Sequence, residues 1–200
     1  MEKILGVGGS PRKGGNSDIL LQHILQGARG TGASVEEVQL RDLDYKPCQG
    51  CERCRKDLVC TGVQDEMQTL YPKVIESKGL VLVSPTHHYN VTAWMKAFID
   101  RLYCFYDWTD DRPRCWSSRL AGQGRKAVVA AVCEQANREE GMGFTLEAMS
   151  LSLEALGYEV IGELPVFGIF DKGKIKERPE ALKRAEELGR ELALQLANPK

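Results

Sequence analysis

The chain has 200 residues, is 42% hydrophobic and 28% charged, and carries a formal net charge of −1. This is ordinary globular composition, and a single domain over residues 1–200 is the first expectation, because domains commonly run about 100–200 residues. The charge argues against a duplex-coating nucleic-acid binder, which needs a Lys/Arg excess to release counterions, and the longest apolar run, Ala127–Cys133, falls far short of the about 20 residues of a membrane span. The opening MEKILGVGGS has no apolar stretch of signal-peptide length. The expected location is the cytosol, with neither nucleic acid nor membrane as partner.

In chain order, Ile4–Gly8 is a short apolar strand running into Gly9–Gly15, which cannot be helix. Asn16 or Ser17 then caps a helix with Ile19, Leu20, Ile24 and Leu25 on one face. Val35, Val38 and Leu40 suggest a half-buried strand, and a Cys-rich loop follows over about 41–62. Asp65 opens a helix whose apolar positions are Met67, Leu70, Tyr71, Val74 and Ile75. Leu80–Val83 is continuously apolar, the mark of a parallel strand covered on both faces. Thr92–Tyr103 reads as helix, with Ala93, Phe98 and Leu102 apolar among Lys96, Asp100 and Arg101, and 104–125 as an irregular insertion. Ala127–Val132 is another buried strand, Phe144–Leu156 a helix, Val160–Phe167 a fifth strand and Pro179–Ala197 a closing helix. Five strands alternating with helices make a doubly wound parallel α/β sheet with helices on both faces. Ligands of such sheets bind at the carboxyl ends of the strands, where Gly9–Gly15, Ser84–Val91 and Cys133–Gly141 fall.

Gly9–Ser17 carries the first chemistry. Its glycines let backbone approach an anion, and the next helix offers free N–H groups and a favourable dipole. Ser10, Asn16 and Ser17 add hydrogen-bond donors, and Arg12 adds a cation. The loop matches neither the nucleoside-triphosphate P-loop nor G-x-G-x-x-G, since Pro11 stands where the last glycine belongs. It points to one terminal phosphate; a glycine-rich turn without a ligand is the alternative. His87 and His88 are adjacent and cannot share a helix face as a metal pair would, and His23 reads as a surface or edge residue.

Four of the seven cysteines crowd into Cys48-x2-Cys51-x2-Cys54-x5-Cys60. Thiolates are soft ligands that select iron–sulfur clusters or zinc. Gly50 permits a tight wrap, and the last gap is longer than in the bacterial ferredoxin run, so all four can clasp one cluster. Zinc sites more often use two C-x2-C pairs set farther apart. Free thiols or a disulfide are the further alternatives. Cys104, Cys115 and Cys133 lack close partners in sequence.

The loop Gly9–Ser17 resembles the FMN-phosphate loop of the NADPH-dependent FMN reductase family, whose fold is flavodoxin-like. Ser84–Arg101 resembles that family's second signature, with His87-His88 as a departure where a small or aromatic residue is more usual. The resemblance implies that Ser10, Arg12, Asn16 and Ser17, with Lys13 and Gly15 of the same loop, hold the ribityl phosphate of FMN. It also implies that Pro85, Thr86, Tyr89, Asn90 and Val91, with His87 between them, flank the isoalloxazine ring. Independently, Tyr89 can stack on a flat ring, while Thr86 and Asn90 can hydrogen-bond its polar edge. The cysteine run resembles the compact cluster motif of the iron–sulfur flavoproteins, a branch of the same family, which implies Cys48, Cys51, Cys54 and Cys60 as ligands of a four-iron, four-sulfur (4Fe-4S) cluster. Flavin redox chemistry resides in the cofactor, so no acid–base triad and no catalytic side chain is expected beyond Asn90 or an amide at the flavin N5.

Three functions fit. One is an iron–sulfur flavoprotein moving electrons among a ferredoxin-like donor, a cluster, FMN and a small-molecule acceptor. Another is an NAD(P)H-dependent reductase with incidental cysteines. The third is a non-enzymatic flavodoxin-like carrier or redox sensor. The resemblance also implies a homodimer or tetramer, and 104–125, rich in Asp, Arg and Trp, is either a solvated loop or a partner surface.

Overall fold

The computed structural model describes residues 2–198; Met1, Pro199 and Lys200, at the ends of the span read as one domain, lie outside it. The chain forms β1 (Lys3–Gly8), α1 (Asn16–Arg29), β2 (Ser34–Gln39), a one-turn α2 (Cys54–Asp57), α3 (Leu70–Glu76) and β3 (Gly79–Pro85). It continues through α4 (Ala93–Arg101), β4 (Tyr106–Trp108), β5 (Trp116–Ser118), β6 (Lys126–Val132), α5 (Thr145–Ala155), β7 (Glu159–Val166) and α6 (Pro179–Ala197). Five strands pair in the order β2-β1-β3-β6-β7, all parallel. This is the doubly wound sheet expected from the sequence.

Side-chain alternation explains the layers, because successive residues of a strand point to opposite faces. Leu5, Val7, Leu80, Leu82, Ala127, Val129 and Ala131 meet Leu70, Val74, Phe98, Met149 and Leu153 of α3, α4 and α5. Ile4, Val81, Val83, Val128, Ala130 and Val132 meet Leu20, Ile24, Leu188 and Leu192 of α1 and α6 on the other face. The runs Leu80–Val83 and Ala127–Val132 in the central strands are therefore apolar at every position. From β1 the chain turns onto the α1 face, and from β3 it turns onto the α4 face. Diverging there, it leaves a crevice at the carboxyl ends of the two strands.

Helices α1 and α6 lie almost backbone to backbone. A Cβ at Gly27 would fall 1.9 Å from the Glu186 carbonyl oxygen, and one at Gly189 would fall 1.8 Å from that of Ile24. At these two positions glycine permits the close approach.

The structure corrects several local expectations. Residues 104–125 are not wholly irregular: β4 and β5 form an antiparallel pair with Trp108 opposite Trp116. Aromatic packing holds it, with Tyr103 stacked on Trp108 at 5.4 Å and Tyr106 edge-on to Trp116 at 5.2 Å. The segment opened by Asp65 begins as a 3-10 turn over Glu66–Thr69, and α-helix starts only at Leu70. Pro72 has no N–H to donate back to Gln68, so one continuous α-helix is interrupted, and Ile75 ends up 52% exposed. Helix α4 stops at Arg101 and tightens into a 3-10 turn over Leu102–Phe105. Gly15, rather than Asn16 or Ser17, occupies the N-cap position of α1. Among the described residues no helix is long and apolar enough to cross a membrane.

Gly189→Ala should force α1 and α6 apart. Overpacking of this kind costs about 1–3 kcal/mol, and each kcal/mol lowers Tm by roughly 2–4 °C for a chain of this size. Thermal unfolding followed by circular dichroism checks it; an unchanged Tm would show that the helix contact is looser than described.

Candidate functional site

The turn after β1 is braced on every side but one. The Gly9 amide donates to the Val83 carbonyl at 2.8 Å, and the Thr92 hydroxyl donates to the Gly9 carbonyl at 2.7 Å. This fastens the ends of β1 and β3 together. Ser10 Oγ accepts from the Arg12 amide at 3.2 Å, and the Gly14 amide, at φ +67°, donates to Asp18 at 2.7 Å. Asp18 is itself held by Arg41 at 2.9 Å, and Arg41 also donates to the Ser10 carbonyl at 3.1 Å. The open side is the start of α1. Its first-turn amides have no intrahelical acceptor, and no side chain caps Gly15.

That open side faces a cavity of about 160 Å³ lined by Ser10, Pro11, Arg12, Gly15, Asn16 and Ser17, and across it by Pro85, Thr86 and His87. Val132, Cys133 and Glu134 close a third wall, and Ile169, Phe170 and Lys172 a fourth. The fourth wall was not read from the sequence, although the segment that supplies it follows β7 at the carboxyl end of the sheet. Arg12 lies 4.6 Å over the Phe170 ring and donates to the Phe170 carbonyl at 3.1 Å. The Asn16 carboxamide is spent on this loop: it donates to the Asp171 carbonyl at 2.9 Å and accepts from the Ile175 amide at 3.1 Å. Lys13 is exposed and lies outside the lining. The remaining chemistry is that of an anion cradle: free helix amides, hydroxyls of Ser10 and Ser17, and cations from Arg12 and Lys172.

The loop after β3 divides. Thr86 shares a 3.0 Å hydrogen bond with Thr145, and because Thr145 donates to the Met142 carbonyl at 2.6 Å, Thr86 is the donor and keeps its lone pairs for the cavity. His87 and Asn90 exchange backbone bonds of 2.8 and 3.1 Å across a tight turn, with His88 at φ +50° and Tyr89 at φ +65°. Positive φ is disfavoured for such side chains. The turn is held from outside, by the Phe144 amide donating to the Tyr89 carbonyl at 2.8 Å. Tyr89 is 49% exposed, Asn90 accepts from the Val91 amide at 2.8 Å, and Val91 packs into the core. These three do not line the cavity. Its volume is below the ~300–1,000 Å³ of a pocket for a whole small molecule, so it has room for one end of a larger ligand.

The four clustered cysteines border a second cavity of about 390 Å³, together with Glu52, Gly62, Val63, Asp100, Arg101 and Tyr103. No three Cys, His, Asp or Glu side chains among the described residues converge tightly enough to hold a single metal ion. Two glycines make the wrap possible. Gly50 sits at φ +65° between Cys48 and Cys51, and a Cβ at Gly62 would lie 2.3 Å from the Cys51 sulfur. Burial, then the neighbouring Cys60, Cys48 and Cys51, pushes the Cys54 thiol up. Cys104 lies behind them, pushed up to about 12 by burial and by Cys54 and Cys60. Cys133 belongs to the first cavity instead, and Cys115 is exposed. The 104–125 arm covers the loop through Arg55–Asp110 at 3.2 Å, Arg114–Glu52 at 3.1 Å and Arg119 to the Leu58 carbonyl at 2.6 Å. His23 is on the far helix layer, 2.7 Å from Glu186.

The neck of the Cys loop is closed by one ion pair. Arg101 donates to both Asp65 oxygens at 2.8 and 3.1 Å. Burial alone would raise Asp65, but Arg101 and the Lys46 and Met67 amides outweigh it and hold the carboxyl below its ordinary value of 3.8. A depressed folded-state pKa contributes stability that is fully present above 3.8 and disappears as pH falls through the lower folded value. Asp65→Asn should therefore destabilise the protein at pH 7 and flatten the loss of stability below about pH 4. Urea unfolding at a series of pH values reads this; parallel curves for the two proteins would refute it.

Known proteins share both the sequence and the fold. The family described as NADPH-dependent FMN reductase matches residues 2–164. The chain is 34% identical over 193 residues to an iron–sulfur flavoprotein of Archaeoglobus fulgidus, covering 96% of this chain and 79% of that one. It is 30% identical over 145 residues to one of Methanocaldococcus jannaschii, covering 72% and 68%. Among solved structures it is similar in fold to an NAD(P)H:quinone oxidoreductase of Methanothermobacter marburgensis, with TM-score 0.72 and 18% identity over 96% of this chain and 98% of the other. The sheet order, the braced turn after β1 and the match over most of the chain agree: this protein belongs to the NADPH-dependent FMN reductase family and is a flavin-dependent oxidoreductase of flavodoxin-like fold.

Proposed function

We propose that the chain is an iron–sulfur flavoprotein that moves electrons between a donor, a four-iron cluster, FMN and a small acceptor. The observation that carries the flavin half is the uncapped start of α1 opening onto a cavity that also holds Arg12 and Lys172. A phosphate monoester suits this cradle, since backbone amides, a helix dipole and two cations all favour a compact dianion. In this reading Ser10, Gly15, Asn16 and Ser17 receive the phosphate, the Asn16 contribution being its amide because its side chain is committed elsewhere. Lys13 adds only long-range charge. Pro85, Thr86 and His87 support the near edge of the ring, with Thr86 as an acceptor, and the exposed Tyr89–Asn90 turn meets its outer part.

The cluster half rests on the donor set. Four thiols border one cavity with room between them, which suits a cubane whose cysteines attach at separate corners better than a mononuclear zinc ion. When bound, FMN supplies two-electron and one-electron chemistry and the cluster supplies one-electron storage. The protein's share is to bind, orient and exclude water. The two cavities share no lining residue. The family resemblance implies a homodimer or tetramer, in which the cluster of one copy can approach the flavin of another. A ferredoxin-like protein or NAD(P)H is the donor.

Anaerobic purification followed by a visible spectrum and iron and acid-labile sulfide assays tests this reading. Flavin bands with broad underlying absorbance and matching iron and sulfide are expected. Flavin without iron would leave an NAD(P)H-dependent reductase, and failure to take up FMN would overturn the whole reading. Cys51→Ser should lose iron and keep flavin. Arg12→Ala with Lys172→Ala should weaken FMN binding by at least roughly 100-fold, since two bonds to a charged group are lost and each contributes about 1.5–3 kcal/mol.

A further inference from the structure

Arg101 is the largest side chain that is almost wholly withdrawn from solvent, 2% exposed. Its place in the sequence, on a helix beside Lys96 and Asp100, reads as a solvated face, but every donor is turned inward. One edge of the guanidinium grips Asp65 at 2.8 and 3.1 Å. Other donors reach the Lys46 carbonyl at 2.9 Å, the Val63 carbonyl at 3.4 Å and the Tyr71 hydroxyl at 3.0 Å. Lys46 precedes Cys48 by two residues, and Val63 follows Cys60 by three. A single side chain thus joins the entry and the exit of the cysteine loop. Asp65 reinforces the junction by accepting from the Lys46 amide at 2.9 Å.

Arg101 also lines the cysteine cavity, whereas Asp65 does not. The cationic face of the pair is toward the thiols and the anionic face is behind it. The other charged groups on the cavity wall are committed to partners outside it: Asp100 to Lys96 at 2.5 Å, and Glu52 to Arg114 at 3.1 Å and Arg55 at 3.3 Å. Four thiolates gathered at one site repel each other, and a cluster they hold carries net negative charge that grows on reduction. A permanent cation held in a poorly solvated wall offsets that charge far more than one in water.

We infer that Arg101 is a positioning residue for the four-thiolate site, setting the spacing of its ligands by closing the loop and raising the reduction potential of the group they hold. This rests on the cluster reading above. Groups that orient metal ligands typically change metal affinity by roughly 10–100-fold when removed, which sets the size of the expected effect.

The test compares the anaerobically purified protein with Arg101→Lys, Arg101→Met and the double variant Arg101→Met/Asp65→Asn. The double variant matters because removing Arg101 alone leaves a buried unpaired carboxylate that can unfold the chain. Measured quantities are FMN content, iron and sulfide per chain, the rate of iron loss to a chelator, and the cluster potential by spectroelectrochemistry. The double variant should keep FMN, lose iron roughly 10–100-fold faster and show a more negative potential. Arg101→Lys should restore the potential toward that of the parent while releasing iron faster, because lysine keeps the charge and cannot bridge both ends of the loop. Unchanged potential and iron release in an FMN-loaded double variant would overturn the inference and leave the cluster reading intact. A parent protein without iron and sulfide would remove the cluster reading and this inference with it.

Discussion

The divergence of the chain beyond β1 and β3 governs everything at the functional end of this molecule. β1 and β3 send their following helices to opposite faces, so the backbone separates just past Gly8 and Pro85 and leaves a gap between them. The gap does not collapse because two hydrogen bonds, Gly9 to Val83 and Thr92 to Gly9, fix its walls from below. A fixed gap beside an uncapped helix start is a place where anions are stabilised before any side chain is considered. Side chains then decide how large an anion fits and which group attached to it finds room over the strand ends.

Three arginines do much of the remaining stitching, and each reaches backbone carbonyls as well as any carboxylate it meets. Arg41 ties the turn after β1 to Asp18 and to Gln39 of β2, Arg101 joins the two ends of the cysteine loop, and Arg125 donates to the Val74, Ser77 and Ile75 carbonyls at the end of α3 at 2.7–2.8 Å. A planar fork with five donors is suited to collecting carbonyls that a loop would otherwise leave unpaired. Such groups cost free energy when orphaned in the interior. The same geometry that satisfies the loops holds the two cavities in shape, linking packing to function.

Much of this was legible in the residues. Continuous apolar runs such as Leu80–Val83 and Ala127–Val132 are the mark of strands covered on both faces, and their alternation with helical patterns points to a parallel sheet. The glycine-rich turn and the thiol spacing are local signals, carried by residues close in sequence. What was not legible depends on contacts between distant segments. Arg101 is indistinguishable from its solvated neighbours until Lys46, Val63 and Asp65 are seen around it. Asn16 has the composition of a ligand contact, yet its side chain is taken by 171–175, some 155 residues away. Strands of three residues, like β4 and β5, carry too little pattern to register. The Ile169–Lys172 wall follows from topology rather than motif, and Val91 is core because the turn before it reverses the chain.

The proposed function turns on recognition of a terminal phosphate at the start of α1. Flavin-free protein titrated in parallel with FMN and with riboflavin isolates that contribution, because the two ligands differ only in the phosphate. The predicted result is that riboflavin binds at least roughly 100-fold more weakly, two or more charge-assisted bonds being lost. Equal affinity for the two would contradict phosphate recognition at its root.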